Sequence, residues 1–399
     1  MCPSYRATRE EKHSTRGRAR LLFEMLKGDP LTGGWRDEHV KDALDLCLAC
    51  KGCRGECPVK VDMATYKAEF LSHYYEGRLR PPSAYAMGWI HVWARLASCA
   101  PRLVNAVTHV PLVSTLIKSL GGISPKRAIP RFARQTFRDW FGTHRAPARA
   151  PAPSPQLPAP TPVILWPDTF NNHFNPEIAI AATEVLEAAG CDVFVPTQSM
   201  CCGRPLYDYG FLTHAKRLLQ HIMRTLRPQI DAGTPIVVLE PSCLAVFRDE
   251  LVNLFPEDDT ARRLSQQTFL LSEFLQKGLG AYRPPRVDGS VMLHGHCHHK
   301  AVATMDEEEA LIKGTGAFVE TLDAGCCGMA GSFGFEASHY QVSMDVGELA
   351  LLPAVRRAPD DTIIVADGFS CREQIAQATG RRALHLAELL RSRPPTRPT

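Results

Sequence analysis

Apolar residues recur at helical spacing through the first part of the chain. In residues 16–27 one face is apolar and basic side chains take the other positions, the apolar members being Leu21, Leu22, Met25 and Leu26. This pattern is typical of an amphipathic helix. Similar spacing predicts short helices over residues 37–46 and 63–75. It continues from residue 82 to residue 141, interrupted by prolines and by a glycine pair.

From residue 163 onward, buried-type apolar strands alternate with helical stretches, and the pattern occurs twice. The repeated segments are VIL at 163–165 and VML at 291–293, CCG at 201–203 and 326–328, IVV at 236–238 and IIV at 363–365, and SC at 242–243 and 370–371. In the first copy a helix is predicted over residues 176–189 and a strand over 192–196. Alternating strands and helices predict small α/β units with parallel sheets.

These patterns divide the chain into five segments. We expect a helical domain over residues 1–80, a helical connector over 81–144, and two repeated units over 163–285 and 286–399. Between them, residues 145–162 alternate proline and alanine, which predicts an extended, semi-rigid linker.

One apolar face of the connector has two interpretations. Tyr85, Trp89, Trp93 and Leu96 fall together at helical spacing. A contact with a core or a partner protein is the favoured interpretation, because apolar stripes usually face a core. Peripheral contact with a membrane surface stays open. We expect the lone Cys99 nearby, and Cys191 in the first repeat, to be packed thiols.

Composition narrows the class of protein. The 399 residues carry a net charge of only +4, so the charge does not indicate a protein that binds nucleic acid. No signal peptide or membrane span is expected. The 14 cysteines are clustered rather than spread as a disulfide framework, which favours metal ligation in a reducing compartment. We therefore expect a cytoplasmic location, with peripheral contact to the inner membrane left open.

The first cysteine cluster predicts an iron–sulfur site. Residues 47–58 read CLACKGCRGECP, the C-x2-C-x2-C-x3-C-P spacing by which ferredoxin-type domains ligate a 4Fe-4S cluster. In two-cluster ferredoxins the fourth cysteine of such a run ligates the other cluster. On that logic Cys2, followed by Pro3, completes a cluster with Cys47, Cys50 and Cys53. Cys57 then serves a second cluster or is a spare thiol, and a frayed terminal thiol is the alternative for Cys2.

A second cluster that includes Cys57 would need three further cysteines. The other three cysteines of its cluster should lie upstream of Cys2. We therefore expect either a fragment of a longer protein, a start at an internal methionine, or a single cluster. Lys51 and Arg54 in the loop are expected to add positive charge and favour the reduced cluster.

The repeats contain a second set of cysteines. Cys297, Cys326, Cys327 and Cys371 all follow strands in the second copy, so they are predicted to meet at one sheet edge and to hold a cluster or another metal. The first copy keeps Cys201, Cys202 and Cys243 but has Thr169 in place of the leading cysteine. Asp168, His173 or a thiol of the other copy could supply the missing ligand, or all seven thiols could share one site. The alternatives are remnant thiols or a redox disulfide.

Several histidines lie close to Cys297 in the sequence and could support the metal site. His294, His296, His298 and His299 cluster around that cysteine. We expect His296 and His298 to orient the ligands, and others to be polar caps. No G-x-G-x-x-G or Walker motif is present, so no flavin, nicotinamide or nucleotide site is predicted in this chain.

Together, the ferredoxin-type run and the two CCG units resemble the iron–sulfur part of FAD-linked D-2-hydroxyacid dehydrogenases. D-2-hydroxyglutarate and D-lactate dehydrogenases and the glycolate oxidase iron–sulfur subunit are examples. Residues 1–6, 16–20, 46–63 and 166–172 carry this resemblance. It implies an α + α/β fold, in which a helical ferredoxin-like domain is followed by two cysteine-rich units. It also implies FAD on an upstream domain or a partner subunit.

The resemblance implies an electron-transfer module that passes electrons from flavin to a quinone or another acceptor. Glu240 and Gly368 stand where the family pattern has a further cysteine in each repeat. That departure weakens the rival function, a heterodisulfide-reductase-like thiol–disulfide enzyme. A zinc-stabilised scaffold is the third alternative.

Overall fold

The computed structural model describes residues 2–144, 160–279 and 282–391. Residues 2–144 are helical. The α-helices there are α1 (Pro3–Thr8), α2 (Thr15–Lys27), α3 (Glu38–Asp45), α4 (Gly52–Glu56), α5 (Met63–Tyr74), α6 (Pro82–Ala86), α7 (Ile90–Ala97), α8 (Pro101–His109), α9 (Pro111–Leu120) and α10 (Phe137–His144).

Local capping explains where the predicted helices begin. Ser14 accepts a hydrogen bond from the Gly17 N–H at the start of α2, and the Asp37 and Asp62 carboxylates do the same for α3 and α5. Each cap satisfies N–H groups that have no partner within the helix. The three helices predicted around the cysteine loop are therefore confirmed to within a residue or two.

The first repeat forms a four-stranded parallel sheet in the order β2-β1-β3-β4. Its elements are β1 (Thr161–Leu165), α11 (Thr169–His173), α12 (Pro176–Ala188), β2 (Cys191–Phe194), α13 (Arg204–Asp208), α14 (Leu212–Thr225), α15 (Arg227–Asp231), β3 (Ile236–Val238), α16 (Pro241–Ala245), α17 (Leu251–Leu254), α18 (Asp259–Gln266), β4 (Thr268–Leu270) and α19 (Leu271–Glu273).

The second repeat has a sheet of the same order, β6-β5-β7-β8, again parallel. Its elements are β5 (Ser290–Leu293), α20 (Cys297–Val302), α21 (Asp306–Gly314), β6 (Phe318–Thr321), α22 (Tyr340–Glu348), α23 (Leu351–Arg357), β7 (Ile363–Val365), α24 (Phe369–Thr379), β8 (Ala383–Leu384) and α25 (Leu386–Leu389). The α/β class with parallel sheets is confirmed.

The two sheets share one core. Leu165 of β1 and Val237 of β3 belong to the same buried cluster as Val291 and Leu293 of β5. Helices α12 and α25 pack together across this cluster. Because the sheets are packed together in this way, the cysteines that follow their strands can approach one another.

One expectation needs correction, and another lies mostly outside the described residues. Cys99 is exposed rather than packed, whereas Cys191 is buried as expected. The predicted linker over 145–162 lies outside the described residues except for its last three, and β1 begins within it at Thr161. The domain boundaries at 80, 144, 162 and 285 stay predictions.

The apolar connector face does not act as one surface. The Trp89 ring packs on Phe211 and His214 of the first repeat. By contrast, Trp93 and Leu96 are 47% and 60% exposed. Contact with the core is therefore found for the first half of the face. For the exposed second half, contact with a partner protein or a membrane surface stays a prediction.

Candidate metal centres

The predicted cysteine loop lies between α3 and α4. Ala49 and Lys51 adopt left-handed backbone conformations, with φ of 49° and 59°. Such conformations are uncommon for residues with a side chain and turn the chain sharply. The turns separate Cys47, which follows α3, from Cys53, which lies within α4.

Cys2 joins this loop from the N-terminus. It precedes the first turn of α1, and its sulfur lies 3.1 Å from Arg18 Nη1, which donates to it, and 3.2 Å from Ser4 Oγ. Burial raises the pKa of the Cys50 thiol well above its usual value, and the nearby Cys47 and Cys2 thiols add to that rise. The same two thiols act on Cys53, whose burial raises its pKa to about 11. The structure thus brings together the four cysteines predicted as one ligand set, and Cys2 is anchored rather than frayed.

Cys57 is placed differently. It is half-buried and caps the C-terminal end of α4, where its N–H donates to Cys53 O at 2.8 Å. Nothing in its surroundings decides between a second cluster and a spare thiol, so that alternative stays open.

The loop residues fit an iron–sulfur cluster by the chemistry of their donors. Four thiols offer the soft ligands that such clusters prefer. Backbone N–H groups also point at sulfur, because the Met63 N–H donates to Cys53 Sγ at 3.4 Å. Hydrogen bonds of this kind tune cluster potentials. Across the described ranges, no three His, Cys, Asp or Glu side chains are gathered around a single metal-ion position.

In the second repeat the four predicted cysteines meet at the carboxyl edge of the sheet. Cys297 begins α20 after β5, Cys326 and Cys327 follow β6, and Cys371 lies in α24 after β7. Hydrogen bonds with Cys297 and Cys327 raise the pKa of Cys326 well above its usual value. Hydrogen bonds from Cys326 and Cys371 lower the pKa of Cys327 well below its usual value. The four sulfurs therefore form one continuous group.

In the first repeat only three sulfurs meet. Cys243 Sγ lies 3.1 Å from Cys202 Sγ, and Cys202 in turn contacts Cys201. Thr169, the first residue of α11, stands where Cys297 stands in α20, and its hydroxyl hydrogen-bonds to Cys201. The depleted set predicted from the sequence is the set found.

Two buried carboxyl groups accompany these sulfurs. Burial, and then the neighbouring Glu240, raises the pKa of Asp168 to about 6. Burial also raises the pKa of Glu240, whose carboxylate accepts a hydrogen bond of 2.8 Å from the Phe369 N–H of the other repeat. Sequence reasoning treated Glu240 only as a missing cysteine. Its position shortly after β3, comparable to that of Asp168 after β1, was the signal available.

His173 does not join this group. Its Nδ1 lies 2.7 Å from Ser98 Oγ of the connector, and its Nε2 lies 3.0 Å from Asn172 Nδ2. The ring therefore ties the connector to the first repeat instead of supplying a ligand. Burial lowers its pKa to about 4.

Both repeats open onto one cavity of about 200 Å³. Cys201, Cys202, Cys243 and Cys297 line it, whereas Cys326, Cys327 and Cys371 do not. Asp168 and Glu240 also line the cavity, and most of the remaining wall is apolar. Thiols of both repeats therefore face the same space, and a site shared by all seven thiols stays a prediction.

Gly368 has a steric reason to lack a side chain. A Cβ atom added there would lie 2.1 Å from His296 Cδ2. The His296 Nδ1 accepts a hydrogen bond of 3.1 Å from the His298 N–H and so caps α20. A cysteine at position 368 would require this ring to move. His296, one of the two histidines predicted to orient ligands, thus caps a helix, and a role in orienting ligands stays a prediction for both.

The cysteine loop is attached to both repeats through Ala49. Its carbonyl oxygen accepts hydrogen bonds of 2.9 Å from His298 Nε2 and from Arg204 Nη2. The Cys297 thiol is close enough to raise the pKa of Cys50. The loop and the cysteine group of the second repeat are therefore neighbours.

The expected positive charge of the loop is compensated. Lys51 is buried and donates to Asp62 and Asp249, each at 2.5 Å, and lies 3.2 Å from Glu250. Arg54 also pairs with Asp249 at 2.5 Å. The expectation that these two side chains present net positive charge to the cluster is wrong, because three carboxylates neutralise them. Their observed role is to fasten the loop to the first repeat.

Comparison with known proteins agrees with this arrangement. Residues 1–61 match the 4Fe-4S dicluster domain, and residues 168–248 match the cysteine-rich domain. The chain is 29% identical to D-2-hydroxyglutarate dehydrogenase of Pseudomonas putida, over 98% of this chain and 41% of that protein. It is 26% identical to a component of the anaerobic glycerol-3-phosphate dehydrogenase of Escherichia coli, over 72% of this chain and 71% of that component.

A third relative is lactate utilization protein A of Bacillus subtilis, 28% identical over 55% of this chain and 94% of that protein. The chain spans 41% of the length of the Pseudomonas and Escherichia D-2-hydroxyglutarate dehydrogenases that it matches. The resemblance predicted from the cysteine patterns is confirmed. The chain combines a 4Fe-4S dicluster domain with a cysteine-rich domain and is similar to parts of these oxidoreductases.

Proposed function

We propose that this chain is the iron–sulfur electron-transfer module of an FAD-linked D-2-hydroxyacid dehydrogenase. The acid is D-2-hydroxyglutarate or D-lactate, and the flavin lies on another domain or on a partner subunit. Residues 1–80 act as the ferredoxin-type domain, and the two repeats act as cysteine-rich units. The observation that carries the proposal is the proximity of Cys50 in the loop to Cys297 in the second repeat, since both pack against one buried cluster and α4 contacts α20.

That proximity supports a continuous path for electrons. Cys2, Cys47, Cys50 and Cys53 form the first ligand set, and Cys297 leads to Cys326, Cys327 and Cys371. Cys297 also lines the cavity, where an acceptor such as a quinone could bind. The path therefore runs from the flavin partner to the loop, then to the second repeat, and ends at the cavity.

The protein's own residues adjust the sites along this path. When bound, an iron–sulfur cluster supplies a one-electron carrier whose potential depends on burial and hydrogen bonds. Arg18 donates to Cys2 Sγ and the Met63 N–H to Cys53 Sγ, which stabilises negative charge on sulfur. Leu48 and Phe333 are buried between the loop and the second repeat and exclude water there.

Anaerobic purification tests the proposal first. We expect broad visible absorption that dithionite bleaches, with iron of about four atoms or more per chain. A colourless protein that contains zinc would support the scaffold alternative and refute the proposal. The isolated chain should not oxidise D-2-hydroxyglutarate or D-lactate without an FAD protein. Oxidation of either acid by the chain alone would also contradict it.

Serine variants separate the two ligand sets. Cys50→Ser should remove the ferredoxin-type signal, whereas Cys327→Ser should leave that signal intact. Cys99→Ser is the matched control, because Cys99 is exposed and lies outside both sets. Loss of every signal in both Cys50→Ser and Cys327→Ser would argue for one shared site. Reduction of a disulfide substrate by the isolated chain would favour the thiol–disulfide enzyme.

A further inference from the structure

The connector helices α8 and α9 form a bent pair, called the hairpin below, and α8 hydrogen-bonds to Ile129 and Phe132 of the segment that follows α9. The two helices contact each other and meet at a bend of 90°. Neither contains a buried residue within the part of the chain that the structure describes. No single described helix could span a membrane by length and composition, and only this bent pair passes that test when both helices are counted together.

The hairpin exposes a stripe of large apolar side chains. On α9, Leu112, Leu116 and Leu120 recur every fourth residue and are 86%, 58% and 68% exposed. On α8, Leu103 and Val107 have the same spacing and are 65% and 43% exposed. Single exposed apolar residues are ordinary, but a contiguous patch of this kind marks an interaction surface.

The connector that carries the stripe is rich in basic residues. The connector, residues 81–144, contains eight Lys or Arg residues and one Asp, a formal net charge of +7, whereas the whole chain carries +4. Arg95 of α7 and Arg102 of α8 are exposed, as are Lys126, Arg131 and Arg134 after α9, whereas Arg127 is buried. The positive charge of the protein is therefore concentrated on the segment that also exposes the leucines.

We propose that this hairpin docks the protein on the surface of an anionic lipid bilayer. Amphipathic helices with leucines on one side and flanking Lys or Arg residues lie in the interface, with the apolar face among the acyl chains. Each basic residue close to an anionic surface adds attraction. A protein partner would need a matching apolar and acidic surface, whereas anionic lipid supplies both components at once.

Docking has a consequence for the cavity described above. Met87 and Ile90 before the hairpin, and Ile123, Ile129 and Phe132 after it, line that cavity. A docked hairpin therefore holds the cavity beside the bilayer, where a lipid-soluble acceptor is dissolved. This consequence rests on the proposed function, but lipid binding itself does not.

Vesicle co-sedimentation of the anaerobically purified chain tests the docking. We expect binding to vesicles of phosphatidylcholine plus phosphatidylglycerol, weaker binding to phosphatidylcholine alone, and release at high salt. The double variant Leu112→Gln, Leu116→Gln should bind at least about tenfold more weakly, because two leucine side chains no longer enter the apolar layer. Leu79→Gln is the matched control, since Leu79 is 87% exposed but lies outside the hairpin.

Several outcomes would overturn the proposal. These are absence of binding by the unaltered chain, equal binding to both lipid mixtures, or equal loss in the control and the double variant. Self-association that the double variant abolishes, without vesicle binding, would show that the hairpin binds a second copy of the chain. Circular dichroism and the visible spectrum check that the variants are folded. Because no electron transfer is measured, failure of the proposed function leaves this result unaffected.

Discussion

Replacing Lys51 by methionine should destabilise the protein strongly. Lys51 is fully buried, and its ammonium group lies 2.5 Å from both Asp62 and Asp249 and 3.2 Å from Glu250. Methionine keeps a similar length but removes the charge. Asp249 then keeps Arg54, and Glu250 keeps Arg204, as a cationic partner.

The magnitude follows from what breaking a buried ion pair costs. Removing one partner leaves an uncompensated buried charge and typically costs about 3–5 kcal/mol. Typical domains have a total free energy of unfolding of about 5–15 kcal/mol. Lys51→Met should therefore lose a large share of it. The cysteine loop should also loosen, because the network fastens it to the first repeat.

Denaturant unfolding measured anaerobically checks this expectation. The midpoint and slope give the change in the free energy of unfolding, and visible absorption reports the loop. Lys12→Met is the matched control, because the Lys12–Asp42 pair is 2.9 Å long but exposed at both ends. Exposed pairs contribute about 0–1 kcal/mol. A loss below about 1 kcal/mol for Lys51→Met, equal to that of the control, would refute the reasoning.

Two further predictions concern packing and pH. Gly368→Ala should destabilise the second repeat by about 1–3 kcal/mol, because its Cβ would lie 2.1 Å from His296. Gly55→Ala is the control: its Cβ has open space within α4, so it should not lower the midpoint of thermal unfolding. An unchanged midpoint for Gly368→Ala would show that the His296 ring moves freely. Burial lowers the pKa of His173 to about 4, so unfolding takes up a proton that the folded state excludes. Stability should be full above about pH 6.5 and fall as the pH drops from there towards 4, by a maximum of about 3 kcal/mol from this group. His173→Asn should flatten that slope in urea titrations at several pH values, and an equally steep slope in this variant would exclude His173 as its source.

Local patterns in the sequence were sufficient to predict the helices and strands and to group the cysteines into sets. The spacing of Leu21, Leu22, Met25 and Leu26 predicted α2, since a helix buries one face every 3.6 residues. The repeated strand and CCG segments predicted two α/β units with parallel sheets, because parallel strands need helical crossovers. Their identical strand order became visible only in the fold. The convergence of Cys297 with Cys371 followed from the shared carboxyl edge of neighbouring strands.

The tertiary structure alone decided how these parts face one another. No local pattern indicates that Lys51 meets Asp249, which is 198 positions away, or that Ala49 accepts hydrogen bonds from both repeats. For that reason the sequence predicted a positively charged loop where the fold neutralises it. Likewise, helical spacing cannot tell a face that packs inward from one left bare, so only the fold showed that the α9 leucines are exposed. The sequence by itself determined which residues could bind metal, because spacing is local, and the fold decided their charge, burial and neighbours, because those depend on contacts between distant segments.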